Sequence, residues 1–279
     1  MALARRSVGF VAVALVVACG ESYGGAVLGA PDASPADASV ETSTAFDAAP
    51  PTDGDAGTGF CAAHPTATLC YDFDDGRSIA TLFPESVLST PTATSTIGPD
   101  GFSPASSLLL EWPGGAFDNN TTLLENVHTR SLVAKYQTSL HVELRLRVKG
   151  GADTSYTRML NVAFPRNGDD AVVLEMNVRS GGAQFGTELI PVNGGASTFD
   201  FRTVTEPLQM WSLVAIDVAG SPPTVKLTID GKPAITPFVV DAKFLAGVAP
   251  KISLSMQHYA EASLVSTVFG FDDVLVDVK

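Results

Sequence analysis

Apolar and polar residues alternate along much of the chain beyond residue 60. The clearest run is 140–148, where five apolar residues alternate with His141, Glu143, Arg145 and Arg147. Successive side chains of a strand point to opposite faces. The run therefore predicts a half-buried strand with a polar outer face.

Shorter runs of the same kind predict ten further strands. Their ranges are 69–73, 106–112, 158–164, 171–178, 184–190, 197–201, 211–218, 224–229, 252–258 and 266–278. Gly, Pro, Asn or Asp residues separate nearly all of them, as turns require. A short helix is predicted only at 241–246. The pattern indicates an all-β domain at 60–279, a two-sheet antiparallel β-sandwich.

The first 18 residues have the pattern of a signal peptide. Arg5 and Arg6 precede the uncharged, apolar run 8–18, which is shorter than the ~20 residues of a spanning helix. Residues 16–20, Val-Val-Ala-Cys-Gly, resemble a bacterial lipobox. The resemblance implies cleavage before Cys19 and acylation of its thiol and new amine. An ordinary cleaved signal with a chance cysteine is the alternative.

Residues 19–59 are predicted to be a lipid-anchored, disordered linker. They are dominated by Ala, Asp, Ser, Thr, Pro and Gly, and 20–59 contain no Lys or Arg. Such a segment cannot bury a core. The lipobox implies a membrane partner in the cell envelope. Gly20 stands where an aspartate commonly retains lipoproteins in the inner membrane, so the sequence favours the outer membrane of a Gram-negative bacterium.

The whole chain has a formal net charge of −13. No basic patch or stripe typical of nucleic-acid binding accompanies it, so nucleic acid is excluded as a partner. With Cys19 assigned to lipid, Cys61 and Cys70 remain. An exported protein is expected to join them in a disulfide. A redox or metal pair with His64 is the alternative, although a zinc site needs three or four ligands.

Three segments resemble the concanavalin A-like lectin/glucanase superfamily, particularly laminin-G-like jelly rolls. They are the opening strand at 70–76, the tryptophan-led hairpin 211–217 and 225–232, which ends in Asp-Gly, and the closing strand at 269–277. The resemblance implies that the first and last strands lie side by side. An immunoglobulin-like sandwich is the alternative.

Some relatives in this superfamily hydrolyse glucans with a Glu-x-Asp-x-x-Glu motif on one strand. The chain contains no Glu-x-Asp sequence. The second residue after Glu143, Glu175 and Glu188 is Arg, Asn and Ile, respectively. A carboxylate pair from separate strands stays open. No Gly-x-Ser-x-Gly elbow, histidine cluster or phosphate loop is present. No catalytic residue is assigned.

A few residues are candidates for binding a ligand. Trp112, Tyr156 and Tyr259 flank predicted loops, where an aromatic ring can stack against a sugar. The polar side chains His141, Arg145 and Arg147 are a second candidate, with a solvated sheet face as the alternative.

Carboxylates near both ends of the domain suggest calcium. By the resemblance, an aspartate on the closing strand binds calcium in several relatives, and Asp273 matches that position. Asp74 on the opening segment is its expected companion, because adjacent strands would bring the two carboxylates together. Capping of turns by aspartate is the alternative.

The sequence therefore predicts an envelope-anchored module that binds glycans or mediates adhesion without catalysis. This interpretation rests on fold resemblance. A lipoprotein that contacts another envelope protein is the alternative, followed by an unrecognised polysaccharide hydrolase or lyase.

Overall fold

The computed structural model describes residues 59–88, 93–103, 106–114, 123–150, 156–166, 170–179, 182–208, 211–259 and 266–279. The chain divides into two units, Met1–Thr52 and Asp53–Lys279. All described residues belong to the second unit. The signal peptide, Cys19 and most of the predicted linker lie outside the described residues. Within the described ranges, no helix has the length and apolarity needed to span a membrane.

The described part of the second unit is almost entirely β-structure. Its strands are β1 (Leu69–Tyr71), β2 (Glu85–Leu88), β3 (Thr94–Gly98), β4 (Ser107–Trp112), β5 (Leu123–Ser131), β6 (Ser139–Gly150), β7 (Tyr156–Phe164), β8 (Ala171–Arg179), β9 (Gly182–Ile190), β10 (Thr198–Thr203), β11 (Ser212–Ala219), β12 (Thr224–Ile229), β13 (Lys232–Pro233), β14 (Phe238–Val239), β15 (Lys251–Tyr259) and β16 (Thr267–Val278). Short helices are α1 (Ile79–Leu82), α2 (Ala242–Leu245) and a 3₁₀ turn (Phe60–Ala63).

The strands form two antiparallel sheets. One contains nine of the described strands in the order β13-β12-β11-β6-β16-β4-β3, with β1 beside β16 and β14 beside β12. The other contains seven in the order β10-β9-β8-β7-β15-β5-β2. The two-sheet sandwich expected from the sequence is confirmed. The first and last strands are neighbours, with Leu69 opposite Val276.

The core lies between the two sheets and follows the alternation of the strands. On β6, Leu144 and Leu146 face inward with no exposed surface. From the other sheet, Met176 on β8 and Phe185 on β9 are equally buried. Burial of each such side chain contributes about 1.5–3 kcal/mol. The residues between them on each strand face outward, which creates one polar outer face per sheet.

All eleven predicted strands and the predicted helix are present, but β2, β3, β5 and the two-residue strands β13 and β14 were not predicted. Strand β5 lacks apolar alternation because two of its inward positions hold Asn126 and His128. The hydroxyl of Ser95 lies 2.7 Å from His128 Nε2 and donates to Asn126 Oδ1 at 2.6 Å. Burial lowers the pKa of His128 to about 4, so the imidazole is neutral at pH 7.

Cys61 and Cys70 form a disulfide, as the sequence predicts. The bridge links the 3₁₀ turn to β1, and Cys70 pairs with Leu275 of β16. The bridge therefore fixes the start of the described chain to the nine-stranded sheet.

Candidate functional site

The predicted polar face lies on the outside of the nine-stranded sheet, where its residues bind one another. His141 Nδ1 is 2.8 Å from Asp217 Oδ1, and its Nε2 is 3.8 Å from Glu143 Oε2. The neighbouring carboxylates of Glu143 and Asp217 raise the pKa of His141 to about 9. The imidazole is therefore charged at neutral pH and is held by two carboxylates.

The two arginines of this face hold the segment after β3. Arg147 donates two hydrogen bonds to Asp100, at 2.8 and 2.7 Å, and lies 4.7 Å from the centre of the Trp211 ring. Arg145 lies 4.0 Å from the centre of the Phe102 ring. Arg147 is only 4% exposed. These contacts engage His141, Arg145 and Arg147 within the protein, and their role as ligand residues stays a prediction.

The position of Trp112 also differs from the prediction. Its side chain is 7% exposed and packs in the core at the end of β4. A buried indole leaves little ring surface for a sugar, and the ligand role of Trp112 stays a prediction. Tyr156 and Tyr259 lie opposite each other at the ends of β7 and β15. Their side chains lie outside the described residues, and their ligand role stays a prediction.

Carboxylates do gather where β1 and β16 meet, but their oxygens already accept hydrogen bonds. Asp272 Oδ2 accepts from the Phe102 amide at 2.8 Å, and from the amide and hydroxyl of Ser103, both at 3.1 Å. Burial and the neighbouring Asp273 raise the pKa of Asp272 to about 6. Burial and nearby carboxylates also raise the pKa values of Asp74 and Asp273.

Within the described ranges, no group of three or more His, Cys, Asp or Glu residues is arranged to hold a metal ion. Asp272 Oδ2 already accepts three hydrogen bonds from the segment after β3. Calcium binding through Asp74 and Asp273 stays a prediction, which thermal melts with and without EDTA would test.

The outer face of the seven-stranded sheet carries a different charged group, which we call the carboxylate–arginine cluster: Arg158, Glu175 and Glu188. Arg158 Nη2 donates to Glu188 Oε2 at 2.6 Å, and its Nε lies 2.7 Å from Glu175 Oε2. The three residues come from the adjacent strands β7, β8 and β9. Glu175 has no exposed surface and Glu188 is 7% exposed.

One guanidinium cannot fully balance two buried carboxylates. Burial and the neighbouring Glu188 carboxylate raise the pKa of Glu175 to about 8. Glu175 is therefore protonated at neutral pH, and Arg158 is left to balance Glu188. The Asn177 amide donates to Glu175 Oε1 at 3.2 Å and helps to fix the carboxyl group.

Polar groups continue from the cluster across β15 to β5. Arg158 Nη1 reaches Gln257 Oε1 at 3.4 Å, and Gln257 Nε2 donates to Glu125 Oε1 at 2.7 Å. Further along, the hydroxyls of Thr129 and Ser253 are 2.8 Å apart. The outer face of this sheet therefore presents a row of fixed donors and acceptors.

The edge strand β10 forms a wall beside the cluster. Gly186 pairs with Glu175 on one side and with Phe201 on the other. A Cβ at Gly186 would lie 2.0 Å from the Asp200 carbonyl oxygen, so β10 turns over the outer face into the space that a side chain would fill. The rings of Phe199 and Phe201 stack at 5.7 Å, and Phe199 is 55% exposed.

The sequence contained part of the signal for this cluster. Glu175 and Asn177 alternate with apolar residues on the predicted strand β8, which places them on one face. The segment Glu175-Met-Asn177 lacks the aspartate of a Glu-x-Asp motif, so the motif gives no signal here. The pairing of β7, β8 and β9, which brings Arg158 to both glutamates, is a long-range feature that strand periodicity does not specify.

No family model matches the sequence, and no curated protein matches it. Solved structures do match. An endo-β-1,4-glucuronan lyase from the fungus Trichoderma reesei has a TM-score of 0.56 at 11% identity, with 77% of this chain and 96% of that chain covered. The fold is a concanavalin A-like jelly roll.

Two glucanases match the same sandwich more weakly. A β-glucanase of Bacillus licheniformis has a TM-score of 0.44 at 8% identity, covering 76% of this chain and 98% of that chain. An endo-1,3-β-glucanase (laminarinase) catalytic domain from Thermotoga petrophila has a TM-score of 0.44 at 11% identity, covering 75% and 96%. At these identities the likeness concerns the fold alone.

Proposed function

We propose that the outer face of the seven-stranded sheet binds a glycan without cleaving it. The observation that supports this proposal best is the row of fixed polar groups from Glu188 through Arg158 and Gln257 to Glu125, beside the exposed ring of Phe199. Sugar sites typically combine an aromatic surface with a few oriented polar groups. The jelly-roll fold, which structures of polysaccharide lyases and glucanases share, adds analogy only.

Binding is better supported than cleavage. A raised pKa would suit Glu175 as a general acid, since such a group must be protonated at working pH. However, Glu175 has no exposed surface. A proton donor must come within hydrogen-bond distance of the substrate, and the buried carboxyl group does not do so in this arrangement.

Protein contact is a second candidate, favoured by a shallow apolar cavity at the edge of the sandwich. It is lined by Val172 and Leu189 together with Phe199, Val239 and Phe244. Phe199 and Val239 are both more than half exposed. Exposed apolar surface of this kind is a common feature of protein interfaces. If no glycan binds, this function becomes the leading proposal.

Replacing Phe199 by alanine is expected to weaken glycan binding by about five- to thirtyfold, because one stacked sugar contributes about 1–2 kcal/mol through buried apolar area. Affinity electrophoresis of the full chain in gels containing soluble polysaccharides measures the effect. Phe102→Ala is the matched control, since Phe102 is 47% exposed on the outer face of the other sheet. Equal retardation of both variants and the unaltered protein would argue against this face as the site.

We also propose that the protein is a lipoprotein of the cell envelope, as Cys19 and its flanking residues suggest. In bacteria fed labelled palmitate, the protein is expected to carry label and to fractionate with membranes. A Cys19→Ser variant should lose both properties, whereas a Cys61→Ser/Cys70→Ser variant should keep them. Label retained by the Cys19→Ser protein would contradict the assignment.

A further inference from the structure

On the outer face of the seven-stranded sheet, the cations whose side chains the structure describes are engaged by carboxylates of the same face. Arg158 donates to Glu188 at 2.6 Å and contacts Glu175 at 2.7 Å. Lys251, on β15, donates to Glu85 Oε2 at 2.6 Å. Arg158 is also largely buried, with 14% of its side chain exposed. Neither cation is presented to a ligand without first losing a carboxylate partner.

The other polar side chains described on this face carry either a negative charge or no charge. Glu125 is a further carboxylate and accepts from Gln257. The hydroxyls of Thr129 and Ser253 bind each other. Even with Glu175 protonated, carboxylates outnumber cations among the side chains that the structure describes on this face. A carboxylate accepts hydrogen bonds from sugar hydroxyls but repels an anionic ligand.

We propose that the glycan bound by this face is uncharged, so that polysaccharides bearing carboxylates or sulfates are excluded. The inference rests on the proposed glycan-binding function. Recognition of an anionic sugar usually uses an arginine fork or a free lysine. Here Arg158 and Lys251 are held by Glu188 and Glu85. The net charge of −13 repels polyanions over a longer range.

A matched pair of polymers separates charge from sugar identity. Affinity electrophoresis of the full chain would compare a panel of neutral polysaccharides with the carboxymethyl derivative of each. We expect retardation by at least one neutral polymer and at least tenfold weaker binding of its derivative. Stronger binding of a derivative, lost in a Lys251→Gln variant, would overturn the inference while the glycan-binding function stands. Retardation by neither class would overturn both.

A gain of function tests the same idea from the opposite direction. Glu85→Gln removes the partner of Lys251 and should strengthen binding of the carboxymethyl polymer by about fivefold, the equivalent of one surface ion pair. Glu111→Gln is the control, because it removes the same charge from an exposed position on the other sheet. If both variants strengthen binding equally, net charge alone sets the discrimination and the inference fails. If neither variant strengthens it, the pairing of Lys251 does not exclude anions, and the inference fails too.

Discussion

Replacing Arg158 by methionine is expected to destabilise the protein by about 3–5 kcal/mol, the usual cost of removing one partner from a buried ion pair. The variant would leave Glu175 and Glu188 together on the face without the guanidinium that both contact. Equilibrium unfolding in urea at pH 7 measures the change. Arg77→Met is the control, because the Arg77–Asp75 pair is exposed and such pairs contribute less than about 1 kcal/mol.

A second substitution checks the cause of that loss. An Arg158→Met/Glu188→Gln double variant also removes the Glu188 carboxylate, which Arg158→Met alone leaves buried without its cation. The double variant should therefore be more stable than Arg158→Met alone. A coupling between the two substitutions of about 1 kcal/mol or more would be a direct measure of their interaction. Strictly additive losses would show that Arg158 stabilises the sheet through contacts other than its ion pair with Glu188.

Unfolding of the protein should also depend on pH through Glu175. Its pKa is about 8 in the folded protein, against 4.5 for an unperturbed glutamate side chain. Between these values the folded protein binds more protons than the unfolded chain, so stability falls as pH rises from about 4.5 to about 8. Each unit of pKa difference corresponds to about 1.4 kcal/mol, so the total loss amounts to several kcal/mol.

A Glu175→Gln variant should lack this dependence. It is expected to match the unaltered protein near pH 4.5 and to be more stable at pH 8, because its side chain stays neutral. His141, with a pKa of about 9, also loses stabilising charge as pH rises from 6.5 to 9, but it does so in both proteins. The difference between their urea midpoints from pH 4.5 to 8 therefore isolates Glu175. A constant difference would contradict a protonated Glu175.

Local alternation was sufficient to predict most of the sandwich. On β6 and β16 one face packs into the core, so the apolar residues that drive packing also mark the strand. Strand β5 escaped prediction because Asn126 and His128 occupy two of its inward positions. Those side chains are satisfied by residues from other strands, including Ser86 and Ser95. Burial of polar groups through long-range partners leaves no local signature.

The same absence of a local signature explains why the contacts of the candidate site could not be predicted from the sequence. Alternation correctly placed His141, Arg145 and Arg147 on one outer face. It could not show that these three side chains contact Asp217, Phe102 and Asp100, respectively. It equally placed Glu175 outward without showing that Arg158 and Glu188 would meet it. The order of the strands in each sheet decides which polar side chains bind other residues of the protein. That order depends on the whole chain and not on a local pattern.

The link between Cys70 and Leu275 has a mechanical consequence. Tension applied to the chain before residue 61 passes through the disulfide directly to Cys70, and the nine-residue separation between the two cysteines carries none of it. The load then reaches β16, which is hydrogen-bonded to β1, β4 and β6. A pull from the N-terminal side is thus borne by β16, which lies between β6 and β4 in the nine-stranded sheet.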